Sequence, residues 1–145
     1  MKINKIYKHV FDAIIKGKPR MFNLDDDYVF ITPDGFYGFV FAKKAVPFNL
    51  EMIEERKEKL DLSSIVQKEN LCKLTNYYAT PERKSLARIL KNNDRKIYIN
   101  QKYLQYFEDY TEFYQKDNLQ IVVAVENGQI VGGLMPIRWT KGDEI

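Results

Sequence analysis

Two widely separated stretches of this chain are built alike, and this restricts its folding more than any other feature. The first, INKIYKHVFDAII, places Ile3, Ile6, Tyr7, Val10, Phe11, Ile14 and Ile15 at the three- and four-residue spacing of an amphipathic helix. It leads into YVFITPDGFYGFVFA, two aromatic and β-branched runs around Asp34-Gly35, which is a hairpin signal. The second, INQKYLQYFEDYTEF, leads into LQIVVAVENGQIVGGL, which turns at Asn127-Gly128. From Ile3 to Gly35 is 32 residues and from Ile99 to Gly128 is 29, so the chain reads as a duplicated helix-then-hairpin unit. Two such units share one core. The expectation is a single α+β domain over residues 1–145, with two helix-plus-hairpin units on a curved antiparallel sheet.

Between the copies, NLEMIEERKEKL predicts a surface helix over residues 49–60, with Asn49 as its N-cap and Leu50, Met52, Ile53 and Leu60 available for packing. It belongs to an insertion near residues 49–70. LTNYYAT reads as a strand, and SLARIL and KIYI flank a turn at residues 91–94. Asn100 caps a helix expected over residues 101–116. Its aromatics, Tyr103, Tyr106, Phe107, Tyr110, Phe113 and Tyr114, cover most of its circumference, which implies burial under the insertion or in a subunit interface.

At 145 residues, with 45% apolar and 30% charged residues, the composition is that of one ordinary folded domain. No window approaches the roughly 18 apolar residues of a membrane span, and the first residues lack a signal peptide's pattern. The expectation is therefore a cytoplasmic protein without a membrane partner. Cys72 is the only cysteine, which excludes an internal disulfide and a thiolate cage within one chain. The charge is uneven. Residues 1–24 carry Lys2, Lys5, Lys8, Lys16, Lys18 and Arg20 against Asp12 alone, and the rest of the chain is slightly acidic.

The strand KIYIN, the helix start QKYLQYF, the strand LQIVVAV and the final GGLMPIRW together resemble one domain of the bacterial sliding clamp, the polymerase processivity factor. The likeness covers residues 96–139 best, residues 3–42 less well, and not residues 43–72. It implies a clamp-like fold and a non-enzymatic accessory role in replication or on a mobile element, without a cofactor. In that family the Met-Pro-x-Arg segment lines a pocket for short peptides; here those positions are Met135, Pro136, Ile137 and Arg138. Methionine adapts to varied apolar partners, proline withholds a donor from a sheet edge, and arginine can hold a carbonyl or carboxylate oxygen. The plainer reading packs Leu134, Met135 and Ile137 in the core, with Pro136 ending the strand and Trp139 covering its edge. The family's helices also line a basic channel around duplex DNA. Lys5, Lys8, Lys16, Lys18 and Arg20 suit non-specific phosphate contact, whereas Glu108, Asp109 and Glu112 on the second predicted helix oppose it. A chain with room for one domain also departs from the family's two or three.

A rival reading is a protein-interaction or regulatory module, homodimeric through the aromatic helix and without a DNA role. Enzymatic signals are thin. His9 and Asp12 at i and i+3 read as a surface pair, and Asp25, Asp26 and Asp27 as a solvated strand entrance. Neither phosphate-loop glycine pattern occurs, and no metal-ligand spacing is present.

Overall fold

The computed structural model describes residues 1–17, 19–46, 49–80 and 85–138. One α-helix, α1 (Ile3–Lys16), precedes β1 (Arg20–Asn23), β2 (Tyr28–Thr32) and β3 (Tyr37–Ala42). The middle of the chain supplies β4 (Glu54–Arg56), β5 (Leu71–Ala79), β6 (Ala87–Asn92) and β7 (Arg95–Asn100). A 3₁₀ segment, Gln101–Tyr106, is followed by β8 (Glu112–Tyr114), β9 (Val122–Glu126) and β10 (Gln129–Leu134). The fold is α+β, with one ten-stranded open sheet in the order β4-β1-β2-β3-β10-β9-β8-β5-β6-β7. It is mixed rather than purely antiparallel, because the edge strand β4 runs parallel to β1.

Outward from the β3·β10 pair, the strand order is the same in both directions. β3, β2 and β1 lie on one side, and β10, β9 and β8 on the other. A helical element precedes each meander, and α1 touches Gln101–Tyr106. Both predicted turns form. Asn127 and Gly128 have φ of 52° and 77°, the left-handed pair of a type I′ hairpin, and Gly35 has φ of 90°. What the second unit lacks is its helix.

Two predicted helices are corrected. In the helix expected over residues 101–116, Asn100 does cap, its side chain accepting from the Lys102 N–H at 3.1 Å. Only Gln101–Tyr106 is helical, however, and the chain re-extends into β8. Tyr103, Tyr106 and Phe107 keep the i, i+3, i+4 spacing and enter the core, but Phe113 and Gln115 are buried with period two. One helix could not bury aromatics on every side against one sheet; a turn followed by a strand can. Tyr103, Tyr106, Phe107 and Phe113 are buried in the chain's own core, Tyr114 is half-buried and Tyr110 is exposed.

In the helix expected over residues 49–60, Asn49 caps too, accepting from Glu51 N–H at 3.0 Å. The helix stops after Leu50–Met52. Ile53 belongs to the core on one sheet face, whereas Leu60 packs and Leu62 and Ile65 are buried on the other. Six consecutive charged residues, Glu54 to Lys59, carry the chain around the sheet edge, which a single helix cannot do.

The sheet therefore has two covered faces. On the inner one α1 buries Ile6 and Val10 against Val29, Ile31, Phe39 and the aromatics of the second unit. Each such side chain is worth about 1.5–3 kcal/mol when fully buried. The outer face carries Phe30, Val123 and Val125 beneath Leu62 and Ile65. Strand alternation makes this division, Val29 and Ile31 pointing in and Phe30 out. The sheet also curls. Ile137, three residues past β10, donates its N–H to Tyr98 O of β7 at 2.6 Å, although β7 stands five places from β10 in strand order.

Candidate functional site

The outer face is not fully covered. Between the β2–β3 turn and the chain leaving β10 lies a mainly apolar cleft of ≈ 500 Å³. Phe22, Phe30, Phe36, Leu119, Ile121 and Met135 line it. Cross-strand register explains its shape. Gly38 sits opposite Gly133 where β3 meets β10, so two adjacent strands put no side chain on the outer face there. That space is filled by packing: a Cβ at Gly133 would lie 2.7 Å from Ile121 Cδ1 and 3.4 Å from Phe30. Arg20 and Thr32, an opposed pair on β1 and β2, also line the cleft; Arg20 is an exposed cation, whereas Thr32 is buried with its hydroxyl accepting from Gly35 N–H at 2.8 Å. Phe36 is 61% exposed and Met135 38% exposed. An apolar slot with a few convergent polar groups is the usual form of a ligand site.

The Met-Pro-Ile-Arg segment is split by this geometry. Met135 N–H donates to Phe36 O at 2.7 Å, extending the β3·β10 ladder one step and setting Met135 beside the cleft. Pro136 has no N–H, so the ladder ends there. Pro136 and Ile137 line a second groove of ≈ 370 Å³ with Arg95, Lys96, Tyr98 and Leu119. Ile137 also packs against the small cluster of Ala87, Ile89 and Tyr98. Arg138 is exposed and lines neither groove. Of the plainer core assignments, Leu134 is fully buried, Ile137 half-buried and Met135 exposed. Trp139 lies outside the described residues.

The basic residues are likewise divided. Lys5, Lys8 and Lys16 are exposed on α1, which covers the inner face. Arg20 stands at the cleft, and Lys18 lies outside the described residues. Phe11 and Ile15 share the exposed part of α1 with the lysines.

His9 does not pair with Asp12. Tyr37's hydroxyl hydrogen-bonds His9 Nε2, and Tyr106's hydroxyl bonds Nδ1 at 3.1 Å. Tyr37 stacks on Tyr103 with ring centroids 4.2 Å apart. Burial first, then the charge of Asp34 and the neighbouring Tyr106, pushes the Tyr103 phenol from 10.0 up to about 12. Tyr106 moves the same way, from burial and Asp34. The Tyr37 and Tyr106 hydroxyls hold the imidazole of α1 against β3 and the 3₁₀ segment, which locks helix to sheet.

Asp25 bonds back to the N–H groups of Asp27 and Tyr28, at 2.8 and 2.9 Å, which makes the aspartate run a closed turn at the strand entrance. Burial raises the Cys72 thiol pKa, with Arg95 pulling the other way. Among the described residues no group of three or more His, Cys, Asp or Glu is placed to hold a metal ion. No helix of the described chain is long and apolar enough to cross a membrane.

The aromatic walls of the cleft are not evident from the sequence. The signal for Phe30 is the alternation in YVFIT, which sends it to the opposite face from Val29 and Ile31. Leu119 has φ of 64°, and nothing in the sequence distinguishes that leucine. No family model, no curated protein and no solved structure matches the chain.

Proposed function

We propose that this chain acts by binding rather than by catalysis, as a domain of sliding-clamp type that holds a peptide segment of a partner protein in the cleft that Phe36 and Met135 line. The observation carrying the proposal is the cleft itself: exposed phenylalanine, leucine and methionine around an apolar slot, with the Arg20 guanidinium at its rim. Methionine and aromatic side chains provide adaptable apolar contact, and arginine can fork onto a carboxylate or a backbone oxygen. The symmetric strand order about β3·β10 and the contact between the two helical elements support the clamp-like reading. A task in replication or on a mobile element rests on the sequence resemblance alone. Duplex DNA as a second partner rests on the exposed Lys5, Lys8 and Lys16.

Selection of random linear peptides on the folded protein tests the reading. Enriched peptides are expected to share apolar residues beside an acid, and to lose at least about tenfold in affinity, roughly 1.4 kcal/mol, when Phe36 and Met135 are both changed to alanine. Met52→Ala, an equally surface-borne methionine at 63% exposure, leaves binding unchanged. Peptides that bind the double variant as well as they bind the parent protein would refute it.

A further inference from the structure

A row of three lysines crosses the outer face of the sheet at its far end. Lys73 of β5 stands directly opposite Lys91 of β6, and Lys91 directly opposite Lys96 of β7. Opposed residues of antiparallel strands project from the same face, and strands lie about 4.8 Å apart, so the row is roughly 10 Å long. All three are exposed, and none is in an ion pair with a described residue. Like charges directly opposite one another destabilise a sheet. The next residues along this face, Ile89 and Tyr98, are buried, so no counter-charge comes from there.

Protection of a strand edge is one use of lysine, and it accounts for Lys96 on the edge strand β7. It does not account for Lys91, because β6 has a strand on either side. Two further contacts concentrate positive charge at the same end. Asn92 donates to Glu69 O and Leu71 O, at 2.9 and 3.0 Å, which fixes the turn bearing Lys68. Arg95 donates to Gln115 O at 2.9 Å and Lys116 O at 3.3 Å, which fixes Lys116. The acids in these stretches are Glu69, Asp94 and Asp117, three against six cations.

We propose that the row Lys73, Lys91 and Lys96 is a contact surface for the phosphate backbone of nucleic acid, separate from the cleft and from α1. An evenly spaced line of flexible point charges matches an evenly charged strand and places no demand on base sequence. Binding removes the repulsion that the row carries in the free protein. The interaction is sequence-independent and strongly dependent on salt.

Fluorescence anisotropy with short labelled DNA, single-stranded and duplex, tests this in the intact chain. The measurements compare the parent protein, the triple variant Lys73→Gln, Lys91→Gln, Lys96→Gln, and the α1 triple variant Lys5→Gln, Lys8→Gln, Lys16→Gln. Urea melts accompany each, and the sheet variant is expected to be at least as stable as the parent. The parent should bind, with affinity falling steeply between about 50 and 200 mM salt, and the sheet variant should lose about 2–3 units of the logarithmic salt slope. The α1 variant should keep the share of the salt slope that the row contributes, about 2–3 units. The proposal is overturned if the parent does not bind at the lowest salt or if the sheet variant binds as the parent does. It is equally overturned if only the α1 variant loses binding, or if polyglutamate competes as well as unlabelled DNA, which would mark an acidic polypeptide as the ligand.

Discussion

Glu126 shows how much one side chain can hold. It is 5% exposed, and its carboxylate accepts from Glu108 N–H at 2.9 Å, from Thr111 Oγ1 at 2.7 Å and from the amino group of Met1. Burial raises its pKa, but these donors together outweigh burial and hold it below the ordinary 4.5. Because the folded-state value lies under the unfolded one, the contribution is fully present above pH 4.5 and disappears as the pH falls through the lower, folded-state value. Glu126→Gln should cost about 1–3 kcal/mol in urea melts at neutral pH, and the variant should lose less than the parent on acidification. Equal losses on acidification would show that the carboxylate is not the group responsible. Tyr103 behaves oppositely. Its pKa is raised to about 12, so its contribution is complete below pH 10 and is lost as the pH rises from there towards 12. In a spectrophotometric phenol titration Tyr103→Phe should remove a late-titrating group; removal of an ordinary one near pH 10 would contradict the packing described.

At the scale of elements, capping and turn chemistry were legible in the sequence, whereas element length was not. Asn49 and Asn100 each cap a short 3₁₀ turn, and Asp34-Gly35 and Asn127-Gly128 both turn the chain. Both predicted helices nonetheless end early, because the residues beyond them must reach two sheet faces. Local periodicity carries no information about which face a later residue will need. Strands β1, β4 and β8 are four, three and three residues long, too short for alternation to show. The bulge in β5 was equally hidden. Between Leu74 and Tyr78 the register slips against β6, and Arg88 closes the gap with hydrogen bonds to Thr75 O, Tyr78 Oη and Asn76 Oδ1. The β3·β10 seam gives this scale its prediction. A Cβ at Gly132 would stand 2.6 Å from Gly38 O, a backbone atom that cannot swing aside. Gly132→Ala should destabilise by roughly 1–3 kcal/mol in urea melts. An unchanged midpoint would mean the two strands are not so closely paired.

For the whole molecule, the paired hairpin signals predict two similar units, and β1–β3 and β8–β10 do lie in matching order about the β3·β10 seam, whereas β4 on one side and β5–β7 on the other have no counterpart. Nothing local, however, joined β5, β6 and β7 to the edge of β8, or brought residue 137 against β7. Those are contacts between distant segments, set by how far the sheet curls. The cleft was only partly legible for the same reason: Met135, which the sequence offers either as a groove wall or as a core residue, does border the cleft, but its companions arrive from β1, β2 and the loop before β9. The most direct test of the binding role is an NMR titration of methionine methyl groups with a peptide selected on the folded protein. Met1, Met21, Met52 and Met135 supply four separate reporters. The Met135 methyl resonance should shift on saturation while that of Met52 stays in place. Movement of Met52 alone, or of none of the four, would contradict a partner seated in the cleft that Phe36 and Met135 line.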